Sequence, residues 1–262
     1  TVAMFVQYHN HQPLAARIAH DSDVSWGGPS TMETVAEELK RRGPARPRLG
    51  IIGPPTFGRY QALAENCEAV IDLGRDFTQL RLVKSEEEMA WLRFGAGFCD
   101  QGILALQHGV REGMDERELG DLIERAYVRH GAVNQIHFIG VTSMADPDIH
   151  VPAQFPSIRK VAWGDVLTTE ISAAYWGYSG QILRSFTIGA EPTPLYRDLH
   201  DAANAAFEAI TGVLRAGATP QDLVDASSVI EDAGFTTNDD LVHGYGGGYL
   251  PPVIGTNSRP AG

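Results

Sequence analysis

Three side chains in the middle of this chain are of types that move a proton, hold charge or orient a polar substrate: His150, Glu170 and Gln181. His150 lies in a loop between Pro147 and Pro152. An imidazole exchanges a proton near neutral pH, so it can serve both an attacking water and a departing group; it can also be a loop histidine satisfied by backbone. Glu170 sits in an apolar run with Leu167, Ile171 and Tyr175, where a carboxylate is costly unless paired. Gln181 or Arg184 would pair with it if their strands are neighbours, which gives Glu170 a purely structural alternative. His243 and Tyr245 flank the glycine run Gly246, Gly247 and Gly248. Such a turn lets a substrate approach the backbone, or simply permits a tight bend covered by Tyr245 and Tyr249. It is not a nucleotide loop, because no Gly-Lys-Ser/Thr follows. His137, beside an apolar strand, reads as a satisfied core histidine. His9 and His11 invite a metal reading, but without nearby ligands they read as surface or interface groups.

Positioning these groups requires strands and helices that the pattern supplies. Residues 2–8, 48–53 and 69–72 are short apolar runs expected as strands, and residues 34–42 and 60–66 as helices, the first behind a capping box at Ser30 and Glu33. This alternation predicts a small α/β domain over 1–82, whose beginning is expected to be missing. A long helix, 86–108, is capped by Ser85 with Glu88 three residues on. Beyond it the chain repeats itself. Gly113 and Gly217 are each followed six residues later by Leu119 and Leu223, and the next glycine comes 18 residues on in one copy (Gly131) and 17 in the other (Gly234). Each glycine ends one helix, and Asp115 or Thr219 caps the next. Helices are expected over 119–129 and 195–215, with another after Thr219, and strands over 138–142, 166–172 and 182–188. Two α-α-β-β halves follow, related by an approximate two-fold axis, with a site between them and the second half cut short after Leu241.

Composition narrows the partners. The chain carries a formal net charge of -12 with 43% hydrophobic residues, which suits a soluble domain with a core and argues against nucleic acid, whose binding begins with cations on phosphates. No apolar stretch is long enough to span a membrane and no signal peptide opens the chain, so a cytoplasmic protein is expected. Cys67 and Cys99 are too few for a disulfide framework or a Cys-rich metal site.

The ordered series Arg81 to Ser85, Gly113, Gly164-Asp165-Val166, Gly177-Tyr178, Arg184-Ser185-Phe186 and His243-Gly244-Tyr245-Gly246 resembles the creatinase, aminopeptidase P and prolidase family. The resemblance implies an α+β chain: a pita-bread domain of duplicated halves over 83–262, preceded by a partial creatinase-like N-terminal domain and cut at both ends. Peptidases of that family are understood to hold two divalent metals with two Asp, one His and two Glu, because bridged cations bring a water to hydroxide near neutral pH. The resemblance places the first Asp at Glu170, the second at Gln181 and the His at Gly247, with both Glu positions beyond Gly262. The metal site is therefore expected to be degraded and no cofactor is expected, with Mn, Co or Zn as the alternative. His150 falls at the family's proton-shuttling His, and Tyr178, Arg184, Gln181, His243 and Tyr245 at substrate-facing positions. Leu183 stands where creatinase is expected to carry a carboxylate for its guanidinium group, so creatine is a poor substrate.

Three functions stay open. One is a hydrolase of amide-like or amidine-like C–N bonds in a small molecule or short peptide, without a metal pair, with His150 as proton shuttle and Glu170 and Gln181 orienting the substrate. A second is a metal-dependent Xaa-Pro aminopeptidase or dipeptidase. The third is an inactive peptide-binding relative. By resemblance the protein is expected to be a homodimer, with no nucleic-acid or membrane partner.

Overall fold

A computed structural model describes residues 2–260, and the chain divides into two compact units, 1–80 and 81–262. In the first unit β1 (Val2–Val6), α1 (Gln12–Ile18), β2 (Ser22–Trp26), α2 (Thr31–Arg42), β3 (Arg48–Ile51), α3 (Phe57–Asn66) and β4 (Ala69–Asp72) alternate, and α4 (Gly74–Leu82) leads into the second. β1 pairs in parallel with β2, and β3 with β4. The α/β alternation is as the pattern predicts, but α1, β2 and α4 had no expectation attached. The capping box at Ser30 does not form: Ser30 makes no side-chain cap, and the Thr34 hydroxyl reaches back to Gly27 O at 2.8 Å instead. His9 and His11 lie in a short 3-10 turn, with His9 edge-on to Trp26 and His11 edge-on to Tyr8.

The second unit begins with α5 (Glu86–Gly109), whose capping box between Ser85 and Glu88 is present, followed by α6 (Glu116–Tyr127), β5 (Val133–Ser143), β6 (Asp165–Tyr175), β7 (Tyr178–Ser179) and β8 (Ile182–Thr187). The second copy of the pattern gives α7 (Pro194–Val213), α8 (Pro220–Ala226), α9 (Ser228–Asp232), β9 (Val242–Tyr245) and β10 (Tyr249–Ile254). The repeat holds in backbone detail. Gly113 and Gly217 have φ of 87° and 90°, the left-handed conformation that lets a helix end and turn, and Asp115 and Thr219 each form a full capping box two residues later. The two copies differ where one helix was expected after Thr219. The Ser227 hydroxyl donates to Val224 O at 2.7 Å and the helix breaks into α8 and α9.

β6 is the middle of the sheet, antiparallel to β5 on one side and to β7 and β8 on the other. One face of this sheet packs on α5 and α6 through Leu106, Leu119, Ile123, Tyr127, Ile139, Val141, Leu167 and Ile171, all buried. A second, smaller core joins Ala206, Ile210, Leu223, Ile230 and Ile254 of the second copy. α5 meets the end of β7 backbone to backbone. A Cβ on Gly95 would come 2.5 Å from Gly180 N, and one on Gly180 2.4 Å from Ala96 Cα, so only glycines allow this approach. Cys99 strengthens the contact by accepting the Ala173 N–H at 3.2 Å.

The first core contains one polar pair. His137, 7% exposed, has Nδ1 2.7 Å from Ile136 O and Nε2 2.6 Å from the Tyr127 hydroxyl. A carbonyl only accepts, so Nδ1 carries the proton and Tyr127 donates to Nε2 in a neutral ring. Burial pushes the His137 pKa below its ordinary 6.5 and that of Tyr127 up. The unfolded chain therefore takes up a proton first as pH falls. The stability this pair contributes is complete above about pH 6.5 and declines below it, by at most about 1.4 kcal/mol per pH unit. Urea denaturation between pH 7.5 and 5.5 should show that decline, and His137→Phe should flatten it.

Candidate functional site

The sheet face turned away from α5 and α6 is built by alternation along β6. Phe138 pairs with Glu170, Gly140 with Thr168, Leu183 with Glu170 and Ser185 with Thr168. Side chains alternate sides every residue, so Thr168, Glu170 and Ser172 share one face with Ser185, Gln181 and Ser179. The same register runs unbroken from the Tyr175–Tyr178 pair to the Val166–Thr187 pair. The result is a polar stripe on a strand whose other side carries the buried Leu167, Ile171 and Ala173 with Thr169 among them. Along it, Gln181 Nε2 donates to Glu170 Oε1 at 2.5 Å, and the Thr168 and Ser185 hydroxyls lie 3.2 Å apart. Ser172, 0% exposed, has a hydroxyl with no partner among the described residues. Ser179 donates to the Tyr245 hydroxyl at 2.9 Å and so brings the glycine-rich turn of the second copy to the end of the stripe.

The loop carrying His150 lies over the same face. A Cβ added to Gly140 would meet Pro152 at 3.1 Å and Ile149 at 3.3 Å, which places the segment around His150 against the pair Gly140–Thr168, next to Glu170. The His150 ring itself is exposed. Four anchors hold the loop. Thr142 donates to Asp148 at 2.5 Å and receives the Asp148 N–H, and Ala153 forms a two-bond bridge with Ile139. Arg159 makes a two-pronged ion pair with the buried Asp165 at 2.8 and 3.0 Å. The last anchor is Glu116, 2% exposed, whose Oε1 accepts the Val141 N–H at 3.1 Å and Oε2 the Ser157 N–H at 2.6 Å. One carboxylate thus ties the start of α6, the centre of β5 and the far end of the loop.

The structure gathers Glu170, Gln181 and Tyr245 on one face with the His150 loop beside them, and places the other expected residues elsewhere. Arg184 pairs with Thr169 on the opposite face, is exposed, and donates to Leu183 O, so the partner of Glu170 is Gln181 and not Arg184. Tyr178 also falls on the opposite face and donates to Glu88 at the start of α5, at 3.2 Å. His243 stacks on Tyr249 with ring centroids 4.1 Å apart, and its Nδ1 lies 3.0 Å from Gly244 O. This leaves Nε2 as the basic nitrogen of the neutral ring. Gly247 has φ of 63°, and a Cβ there would meet the Arg81 guanidinium at 3.0 Å. That guanidinium donates to Gly246 O and Gly247 O at 2.9 and 3.2 Å. Thr168, Ser172, Ser179, Ser185 and Glu116 were not singled out from sequence. The alternation of Thr168, Glu170 and Ser172 within an apolar run is the signal that marks the face of Thr168 and Ser172; nothing local marks Glu116.

The sequence profile of metallopeptidase family M24 matches residues 90–257. The chain belongs to family M24. In the language of its solved members this is the creatinase, aminopeptidase P and prolidase superfamily with the pita-bread fold. The chain superposes with a TM-score of 0.78 on an X-Pro aminopeptidase from Thermotoga maritima, 19% identical, over 99% of this chain and 74% of the other. Among curated relatives, an Xaa-Pro dipeptidase of Lactobacillus delbrueckii subsp. lactis is 26% identical over 224 residues, 82% of this chain and 58% of its own. An uncharacterized hydrolase/peptidase of Sinorhizobium fredii is 26% identical over 171 residues, 63% of this chain and 43% of its own. The chain thus spans about half the length of the curated relatives it matches.

A family M24 metal pair does not fit the described residues. Glu170 is the one carboxylate on the stripe, and one of its oxygens is taken by the Gln181 amide. Gln181 is neutral and Gly247 has no side chain. Among the described residues no group of three or more His, Cys, Asp and Glu side chains is placed to hold an ion. Also among them, no helix is long and apolar enough to cross a membrane.

The loop anchor is testable. Glu116→Ala leaves the buried Val141 N–H and the part-buried Ser157 N–H without their acceptor, at about 1 to 3 kcal/mol of stability. Urea denaturation should show that loss, with Glu116→Gln losing less because one acceptor oxygen survives.

Proposed function

We propose that this family M24 chain is part of a hydrolase of amide-like or amidine-like C–N bonds in a small molecule or short peptide, working without a dinuclear metal. The observation that carries this reading is the 2.5 Å hydrogen bond from Gln181 to Glu170. At the place where two anionic oxygens would have to bridge cations, an amide N–H meets a carboxylate, and the donor satisfies the charge that a cation would otherwise neutralise. The second oxygen of Glu170 is left to accept an N–H of the substrate. Gln181 fixes the carboxylate's orientation and presents its own carbonyl oxygen beside it.

His150 supplies the proton traffic from a loop anchored over the same face. It takes a proton from water as the oxygen bonds to the C–N carbon, and returns that proton to the nitrogen as the bond breaks. Family membership supports hydrolysis, and the peptidase names of the relatives support a short peptide as one substrate class. A homodimer, as the family resemblance implies, in the cytoplasm completes the reading.

The full-length protein should hydrolyse at least one of Ala-Pro, N-acetylglycine, N-carbamoylglycine and guanidinoacetate with undiminished rate in EDTA. His150→Ala should lower that rate by about 10² to 10⁴. Full activity in His150→Ala removes the proton shuttle from the proposal. The family profile itself favours the metal-dependent Xaa-Pro peptidase as second reading, and two Mn, Co or Zn ions per chain by metal analysis would establish it in place of the first. Absence of turnover across all four compounds would favour the peptide-binding relative.

A further inference from the structure

We propose that the Tyr245 hydroxyl reads the substrate: its proton is donated to an acceptor oxygen, a carboxylate or carbonyl, at the end of the polar stripe remote from His150. The inference rests on taking that stripe as the substrate cleft, as above, and adds a residue that selects what lies in it.

The direction of one hydrogen bond carries the argument. Ser179 Oγ donates to Tyr245 Oη at 2.9 Å. Tyr245 therefore spends a lone pair on Ser179 and keeps its own proton, for which no acceptor is found among the described residues. Ser179 is buried and Tyr245 half-buried, so the hydroxyl stands at the edge between the packed sheet and the open face. The nearest polar neighbour by register, Gln181, is turned away and occupied with Glu170. The buried Ser172 hydroxyl, across the strands from Gln181, is also without a partner. This end of the stripe thus holds two hydroxyls with unused hydrogen-bonding capacity, and buried polar groups are ordinarily paired.

The position is also fixed rather than adaptable. Tyr245 pairs with Tyr249 across β9 and β10, and its ring leans on His243 with centroids 5.8 Å apart. A Cβ on the preceding Gly244 would come 2.4 Å from Pro251 O, so the strands close tightly there. Four residues of β6 separate Glu170 from Ala174, which pairs with Ser179, a span of about 13 Å between backbone positions. Long side chains shorten it from both ends. A molecule with an N–H group at Glu170 and an oxygen acceptor at Tyr245 fits this polarity, because Glu170 can only accept while Tyr245 has only a donor left. A site built on such groups rejects an analogue lacking the matching atom, since its own groups then stay unpaired.

The test uses binding, so it does not depend on turnover. In the full-length His150→Ala protein, calorimetric titration should give Ala-Pro an affinity at least about 10-fold above that of alanyl-pyrrolidide, in which the carboxylate is absent and no acceptor oxygen replaces it. Adding Tyr245→Phe, which keeps the ring and its packing, should bring that ratio below about 3-fold. Loss of stability alone weakens both ligands together and does not move the ratio. Undiminished discrimination in Tyr245→Phe overturns the inference while leaving the hydrolase reading intact, and so does a wild-type ratio near one. No binding of either compound overturns it as well. Tyr245-dependent discrimination in a protein that turns over none of the four compounds above would uphold the inference and sink the hydrolase reading.

Discussion

The candidate site hangs on the register of one strand. β6 is paired on both sides, with its odd-numbered residues Leu167, Ile171 and Ala173 buried against α5 and α6. That burial leaves no freedom: a slip of one residue would send Glu170 into the core and Ile171 to solvent. Because the apolar side is locked, the polar side is locked with it, and Thr168, Glu170 and Ser172 are delivered in line. The approach of Gly95 to Gly180 pins the neighbouring strand to the same helix, which fixes Ser179 and Gln181 against them. The hydrogen bond between Gln181 and Glu170 is thus a consequence of packing on the opposite face of the sheet.

The loop over the stripe is held by a different kind of force. Segment 144–160 has few apolar anchors, and buried carboxylates take their place. Glu116 meets two backbone N–H groups, and Asp165 meets Arg159 and the Ala162 N–H. A buried charge with these partners is directional in a way that an apolar contact is not, since moving the loop would strand the carboxylate. The loop is therefore rigid at its ends and at Ala153, while its His150 ring faces solvent. The proton shuttle proposed for His150 needs that combination: a fixed backbone and a ring open to water and substrate.

Much of this was legible in the residues. The duplicated pattern of Gly113 and Gly217 with their capping residues predicts two matching helix turns, and the backbone reproduces them to within a few degrees of φ. Glycine at a left-handed position and a capping acid are local requirements, so local sequence carries them. The partner of Glu170 was narrowed to Gln181 or Arg184 because either strand arrangement would serve, and only the register separates them. The failure at Ser30 and the break at Ser227 are competitions between a hydroxyl and the backbone, decided by the neighbours Thr34 and Val224. Glu116 was invisible for a stronger reason. An acid in the first turn of a helix looks like an ordinary answer to the helix dipole, and its burial depends on a loop that returns 41 residues later.

The exchange of a carboxylate for an amide at residue 181 changes more than one ligand. Two facing carboxylates repel each other and stay charged together only with cations between them, whereas a carboxylate and an amide attract directly. On the face bearing Glu170 the Gln181 amide meets the carboxylate directly, and in the proposed reading the second carboxylate oxygen is held for a donor group. In the proposed metal-free hydrolysis, water activation needs a base that titrates near neutrality, and imidazole is the side chain that does so unperturbed. Under that proposal the requirement falls on the anchored loop, and the buried ties of Glu116 and Asp165 then matter to a site whose polar atoms they never touch.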